Sequence, residues 1–206
     1  MDNNILRDLS YGVYVVSTMN GEKPTGCIAN SLIQVTYDTI AVSINHDNFT
    51  NECITKCGLF GVSILGENVD ENVIPVFGFK SGREVFKFEN IDSINIEGVN
   101  ILTHATGYLI CKVIDKMETE THTVFLGKII AGEKLESDKP MTYAYYHKVK
   151  KGTSPKNAPT YIEEKVSGDC WKCIICGYIY EGDLTKEPDD YICPLCKQPK
   201  SKFVKC

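Results

Sequence analysis

Two cysteine pairs, CIIC (Cys173, Cys176) and CPLC (Cys193, Cys196), stand 16 residues apart near the C-terminal end of this 206-residue chain. Two C-x-x-C loops brought face to face present four thiolates in a tetrahedron, the donor set that suits zinc or a single iron. The stretch 168–206 that carries them is too short to stand on a hydrophobic core alone, so a metal would supply much of its folding energy. A third cysteine, Cys170, extends the run to CWKCIIC. An iron–sulfur cluster of the C-x-x-C-x-x-C type would use it, but would leave Cys193 and Cys196 without a role. Gly177 directly after Cys176 permits the positive-φ turn that points backbone N–H groups at sulfur. Cys170 lies outside that pair. It and the terminal Cys206 are read as spare thiols.

The remainder of the chain is ordinary in composition. Apolar residues make up 43%, enough for a real core. No apolar run reaches the ~18 residues of a membrane span, and MDNNILRDLS lacks the basic-then-apolar order of a secretory signal. A cytoplasmic setting follows, in which ten cysteines are thiols or metal ligands and not a disulfide framework. Charge is uneven: residues 1–147 carry a net −8, 148–165 a net +3, and the tail from 166 is balanced. No basic stripe of the kind that nucleic acid requires is present. The lysines of KVKKGTSPK read as a solvated linker.

Upstream, GVYVVST, TIAVSIN, LFGVSIL, GYLICKVID and HTVFLGKII are β-branched and apolar runs bounded by Gly, Asn and Asp. Their spacing predicts an antiparallel sheet or barrel, without repeated βαβ units. NFTNECITKCG predicts one short helix, capped by Asn48 or Thr50 and ended by Gly58. On it Cys53 and Cys57 share a face and are read as core. The expected organisation is a mainly β unit over 1–147, a linker over 148–167 and a metal unit over 168–206.

Trp171, Tyr178, Tyr180, Tyr191 and Phe203 give the small unit a large aromatic share. CIICGYIYEG followed by PDDYICPLCKQPKSKF resembles the rubredoxin family in its two knuckles, its aromatic core and its Pro-Asp-Asp approach to the second pair. The shortened stretch between knuckles is similar to the compact, rubrerythrin-type variety. The resemblance implies one iron in four thiolates, cycling between ferric and ferrous states. One departure is Lys197, where that family usually has Gly; a left-handed residue there costs about 1 kcal/mol if it is not Gly.

A one-electron centre needs a redox partner, and three upstream stretches could hold a phosphate-bearing cofactor. NFTNE places Asn48, Thr50 and Asn51 at a helix start. FKSGREVFKF offers Lys80, Arg83 and Lys87 to phosphate oxygens, and GCIANSLIQVT supplies small and hydroxyl side chains. Each has a plain structural reading as cap, turn or strand end. Their order over roughly residues 5–146 resembles the flavin reductase family with an FMN-binding split barrel, of the flavoredoxin type. That resemblance implies FMN in a groove at a dimer interface. Carried over residue by residue, it implies contacts from Cys27, Ala29, Asn30, Ser31, Asn48, Thr50, Lys80 and Arg83, and places His122 near the nicotinamide of a hydride donor. Here Thr121 precedes that histidine where the family has Asp.

The two halves together resemble the high-molecular-weight rubredoxins, reductants of flavodiiron oxygen or nitric oxide reductases. The resemblance implies a homodimer passing electrons from NAD(P)H through FMN to iron and on to a redox-protein acceptor. Two rivals remain: an FMN/iron carrier loaded by a separate NAD(P)H:rubredoxin oxidoreductase, and a zinc-ribbon binding module with no redox role.

Overall fold

The computed structural model describes residues 3–135, 138–150, 152–154, 158–160 and 170–205. Seven strands form one antiparallel sheet in the order β2-β1-β5-β8-β9-β4-β3. They are β1 (Tyr14–Asn20), β2 (Lys23–Ala29), β3 (Leu32–Thr36), β4 (Thr39–Asn45), β5 (Leu59–Ile64), β8 (Gly107–Glu118) and β9 (His122–Lys134). A short hairpin, β6 (Ser93–Ile96) and β7 (Val99–Leu102), forms a separate two-stranded sheet that packs on the large one through Val99 and Ile101. The fold is the mainly β split barrel expected from the sequence.

The sheet is rolled around a central buried cluster, with two further buried clusters beneath the helical segment Val73–Phe79 and beneath the β6–β7 hairpin. Cys27 and Ala29 of β2 pack in the same buried cluster as Ile40, Val42 and Ile44 of β4, although four strands separate them in the sheet order. Phe60 and Phe125 fill the centre. Gly127 is required there, because a Cβ would approach the Phe60 ring to 2.5 Å.

The expected helix is α1 (Phe49–Cys57). Asn48 caps it by accepting from the Thr50 amide at 3.1 Å, and Gly58 ends it at φ 70°. The reading of its cysteines is half corrected: Cys53 is buried, but Cys57, in the last turn, is exposed. A second helix, α2 (Val73–Phe79), packs over β2, where a Cβ at Gly26 would meet the Phe77 ring at 3.3 Å. A third, α3 (Tyr143–Lys148), is capped by the Thr142 hydroxyl. Among the described residues, no helix is long and apolar enough to cross a membrane.

Two outward rows of the sheet are largely apolar, broken by Asp115 opposite Leu126 in the first and by Ser43 in the second. Register places Ile33, Ala41 and Leu126 in one row and Ser43, Val124 and Met117 in the next, with Ile33 and Met117 well exposed. The following row pairs Asn45 with His122.

The C-terminal unit is a three-stranded sheet of β10 (Cys170–Cys173), β11 (Ile179–Glu181) and β12 (Phe203–Lys205), in the order β11-β10-β12. Its buried cluster consists of Cys173, Cys176, Leu184, Cys193, Cys196 and Phe203. Trp171, Tyr178, Tyr180 and Tyr191 pack around it. Cys170 is not a spare thiol: it is disulfide-bonded. Cys206, given the same reading, lies outside the described residues.

Candidate functional site

The two C-x-x-C loops are built alike. In the first, Gly177 at φ 81° donates its amide to Cys173 O at 2.8 Å, and Cys173 N donates to Tyr178 O at 2.8 Å. In the second, Lys197 at φ 57° donates to Cys193 O at 2.9 Å, and Cys193 N donates to Gln198 O at 2.7 Å. Lysine therefore adopts the left-handed conformation, and the second knuckle keeps its geometry despite the missing glycine.

These loops bring the Sγ atoms of Cys173, Cys176, Cys193 and Cys196 within 4.8 Å of one another. Cys173 Sγ lies 3.6 Å from Cys196 Sγ, and Cys176 Sγ 3.5 Å from Cys193 Sγ. Thiolates about 2.3 Å from a central ion form a tetrahedron with edges of roughly 3.8 Å, so the set fits a tetrahedral metal. The thiols also perturb each other strongly: hydrogen bonds from Cys176 and Cys193 depress Cys173, and the same pairing pushes Cys176 up. Four thiolates this close require a cation among them.

Beside this centre lies a cleft partly open to solvent. One wall is apolar, with Ile28, Ile74, Phe77 and Phe79. The other is polar, with Asn30, Ser43, Asn45, Asn48 and His122. Such a division suits a flat ring with one apolar face and polar edges. His122 presents an unused group: its Nε2 is buried and has no hydrogen-bond partner among the described residues, while Thr121 Oγ1 lies 2.8 Å from Nδ1. Burial, with His46 nearby, lowers the His122 pKa, so the ring is neutral at pH 7.

Of the sequence-derived cofactor residues, Cys27, Ala29, Asn30, Asn48 and His122 line the cleft together. Cys27 is fully buried, and burial pushes its thiol up even though Thr50 and Asn48 hydrogen-bond to it. That is the state of a packing thiol, not of a reactive one. Ser31 sits just behind and donates to Asn30 Oδ1 at 3.2 Å. Thr50 is buried in the first turn of α1 and reaches the cleft only through Cys27.

Lys80 and Arg83 are not in the cleft wall. Lys80 is exposed at the residue ending α2. Arg83 reaches the start of α1, donating to Asp47 O at 3.4 Å and Glu52 Oε2 at 2.9 Å and lying 4.8 Å over the Phe49 ring. Gly82 permits this approach, since a Cβ there would collide with the Thr25 hydroxyl, itself buried and unpartnered among the described residues. Arg83, already paired with Glu52, lies by the start of α1, and the partnerless Thr25 hydroxyl lies against Gly82; a phosphate held there would have to compete with Glu52 for the guanidinium.

Several lining residues had not been picked out from the sequence. Tyr143, Tyr146, Thr153 and Ser154 close one side of the cleft. Thr153 and Ser154 belong to the stretch read as solvated linker. Thr160 accepts from Asn30 Nδ2 at 3.0 Å and donates to Tyr143 OH at 2.7 Å, tying that stretch to two side chains that line the cleft. Two contacts join cleft and metal centre. Phe79 lines the cleft and also packs against the buried cysteine cluster, and the Thr153 hydroxyl donates to Cys176 O. Thr and Phe in these settings carry no sequence signal of their own.

Residues 6–154 match the flavin reductase like domain family, and residues 171–204 match the rubrerythrin, rubredoxin-like domain. The chain belongs to the flavin reductase–like family. It is similar to the high molecular weight rubredoxin of Moorella thermoacetica, with 37% identity over 98% of this chain and 99% of that one. It also resembles a ferric-chelate reductase (NAD(P)H) of Archaeoglobus fulgidus, with 35% identity over 80% of this chain and all of that one. Among solved structures, NADH:FAD oxidoreductase SgcE6 of Streptomyces globisporus C-1027 superposes with a TM-score of 0.62 at 25% identity, covering 67% of this chain and 84% of that one. This flavin reductase–like chain is an oxidoreductase that carries electrons by way of a flavin and a thiolate-bound iron.

Proposed function

We propose that the chain passes electrons from NAD(P)H through FMN to one iron held by Cys173, Cys176, Cys193 and Cys196, and on to a redox-protein acceptor such as a flavodiiron oxygen or nitric oxide reductase. The observation that carries this reading is Phe79, one side chain that borders both the cleft and the four-cysteine cluster. Bound flavin supplies the conversion between a two-electron hydride donor and a one-electron metal.

The chain's own residues bind, orient and exclude water. The start of α1, with Asn48 and Arg83, takes the phosphate. Lys80 adds positive charge nearby. Cys27, Ala29, Asn30 and Ser31 line the ring and ribityl chain. His122, held neutral, offers Nε2 to the nicotinamide without having to lose a proton. Phe79 keeps the space between the two sites dry. No acid–base step is assigned to the protein.

A second copy of the chain is proposed to cover the apolar rows of Ile33, Ala41 and Leu126 and of Val124 and Met117, because the next row, Asn45 and His122, lines the cleft. We also keep the division into 1–147, 148–167 and 168–206, and the cytoplasmic setting, as part of this proposal.

One observation favours a carrier role instead. The Asn30–Thr160–Tyr143 hydrogen bonds hold residues 158–160 against two cleft-lining side chains, an arrangement that would hinder entry of a nicotinamide. Cofactor analysis and donor assays separate the readings. The relay requires about one FMN and one iron per chain and flavin reduction by NADH or NADPH alone. Reduction only after adding a separate oxidoreductase supports the carrier. Zinc without flavin overturns both.

A further inference from the structure

Lys197 holds a backbone conformation that lysine ordinarily avoids, φ 57°, at the position where the sister knuckle has Gly177. Glycine would donate the same knuckle hydrogen bond with less steric conflict. The backbone therefore gives no reason for lysine, but the side chain does. Its Nζ lies 3.1 Å from Glu71 Oε2, a residue 126 positions away that immediately precedes the cap of α2. Lys197 is about one-third exposed (31%) and Glu71 mostly exposed (77%). On the other knuckle, the Thr153 hydroxyl donates to the Cys176 carbonyl. One knuckle is thus held by Glu71 of the larger unit and the other by Thr153 of the stretch that follows it, while Phe79 of α2 packs on the buried cysteines.

We propose that Lys197 is a docking residue: with Glu71 and Thr153 it seats the four-cysteine unit on the cleft of its own chain. The consequence for transfer rests on the reading of the cleft as a flavin site and of the cysteines as an iron site; the docking itself does not. An exposed ion pair is weak in water and is screened by salt. It suffices here because the intervening chain already holds the unit at an effective concentration in the millimolar range. The pair then selects one orientation, with the metal side turned toward the last turn of α2.

A zero-length carbodiimide cross-link on the full, metal-loaded chain tests the docking. An equal mixture of unlabelled and ¹⁵N-labelled protein should give a Glu71–Lys197 linked peptide that is isotopically uniform. Glu71→Gln and Lys197→Gly should abolish it. Absence of the link in the wild type, or linked peptides of mixed isotope content, overturns the proposal.

A kinetic test separates positioning from a merely structural role. After light-driven reduction of the bound flavin with a sacrificial amine donor, Glu71→Lys should slow bleaching of the iron–thiolate band at least threefold at low ionic strength. The charge-swapped double variant Glu71→Lys/Lys197→Glu should restore the rate, and added salt should slow the wild type and the swapped variant alike, since both pairs are screened. An unchanged rate in Glu71→Lys, or a folded, iron-loaded swap that fails to restore it, contradicts the proposal. Because the cross-link needs no electron donor, loss of docking is distinguishable from failure of the nicotinamide relay.

Discussion

The buried ammonium of Lys87 donates to the carbonyl of Val76 at 2.8 Å, and reaches Phe77 O at 3.3 Å. It ties the segment that follows α2 back to the last turn of that helix, and so braces Phe79. A cation suits the carbonyl end of a helix. Replacing Lys87 by Met leaves those carbonyls unsatisfied and should cost about 2 kcal/mol in denaturant unfolding. Burial lowers the Lys87 pKa to about 8. The folded value lies below the unfolded one, so between pH 8 and about 10.4 the unfolded chain binds more protons. Wild-type stability relative to Lys87→Met should therefore rise with pH across that window. A flat difference would place the ammonium in solvent.

Lys197→Gly should act in two directions at once. Removing the left-handed strain should stabilise the C-terminal unit by about 1 kcal/mol, read as slower loss of metal to a chelator. The same change removes the Glu71 pair and weakens docking. A variant that binds metal more firmly yet bleaches its iron–thiolate band more slowly after flavin reduction at low ionic strength would show that the two effects are separate.

Cys193→Ser should lower bound metal well below one per chain and unfold residues 170–205, because that unit has little core besides its cysteines, Leu184 and Phe203. Limited proteolysis should then cut the tail and leave the barrel intact. Tail protection equal to the wild type would show that the aromatic cluster folds without metal.

Arg83→Ala should weaken FMN binding about tenfold, equivalent to roughly 1.4 kcal/mol, while riboflavin, which lacks the phosphate, should bind as before. Equal losses for both ligands would mean that Arg83 only supports the start of α1 through Phe49 and Glu52.

The features legible in the sequence are those set by local chemistry. Metal ligation follows from short C-x-x-C spacing, and α1 from its two caps, Asn48 and Gly58. Strands β4, β5, β8 and β9 follow from β-branched runs whose faces are set by the core. The residues that join the two units were not legible. Helix α2 is VIPVFGF, which carries Pro75, Gly78 and two valines and has weak helix propensity. Pro75 is tolerated because it falls in the first turn, and packing on β2 and Lys87 does the rest. Thr153, Ser154 and Thr160 read as linker because their role comes from hydrogen bonds made over long sequence separations. The disulfide at Cys170 is not legible because compartment reasoning treats every cysteine alike.

The central claim is that one chain joins a flavin cleft to its own four-cysteine iron site. Anaerobic stopped-flow mixing with NADH or NADPH, recorded at flavin and iron–thiolate wavelengths together, tests it most directly. The account predicts flavin bleaching followed by iron bleaching at a rate independent of protein concentration. Iron that stays oxidised after the flavin is reduced, or bleaches at a rate proportional to protein concentration, would contradict it.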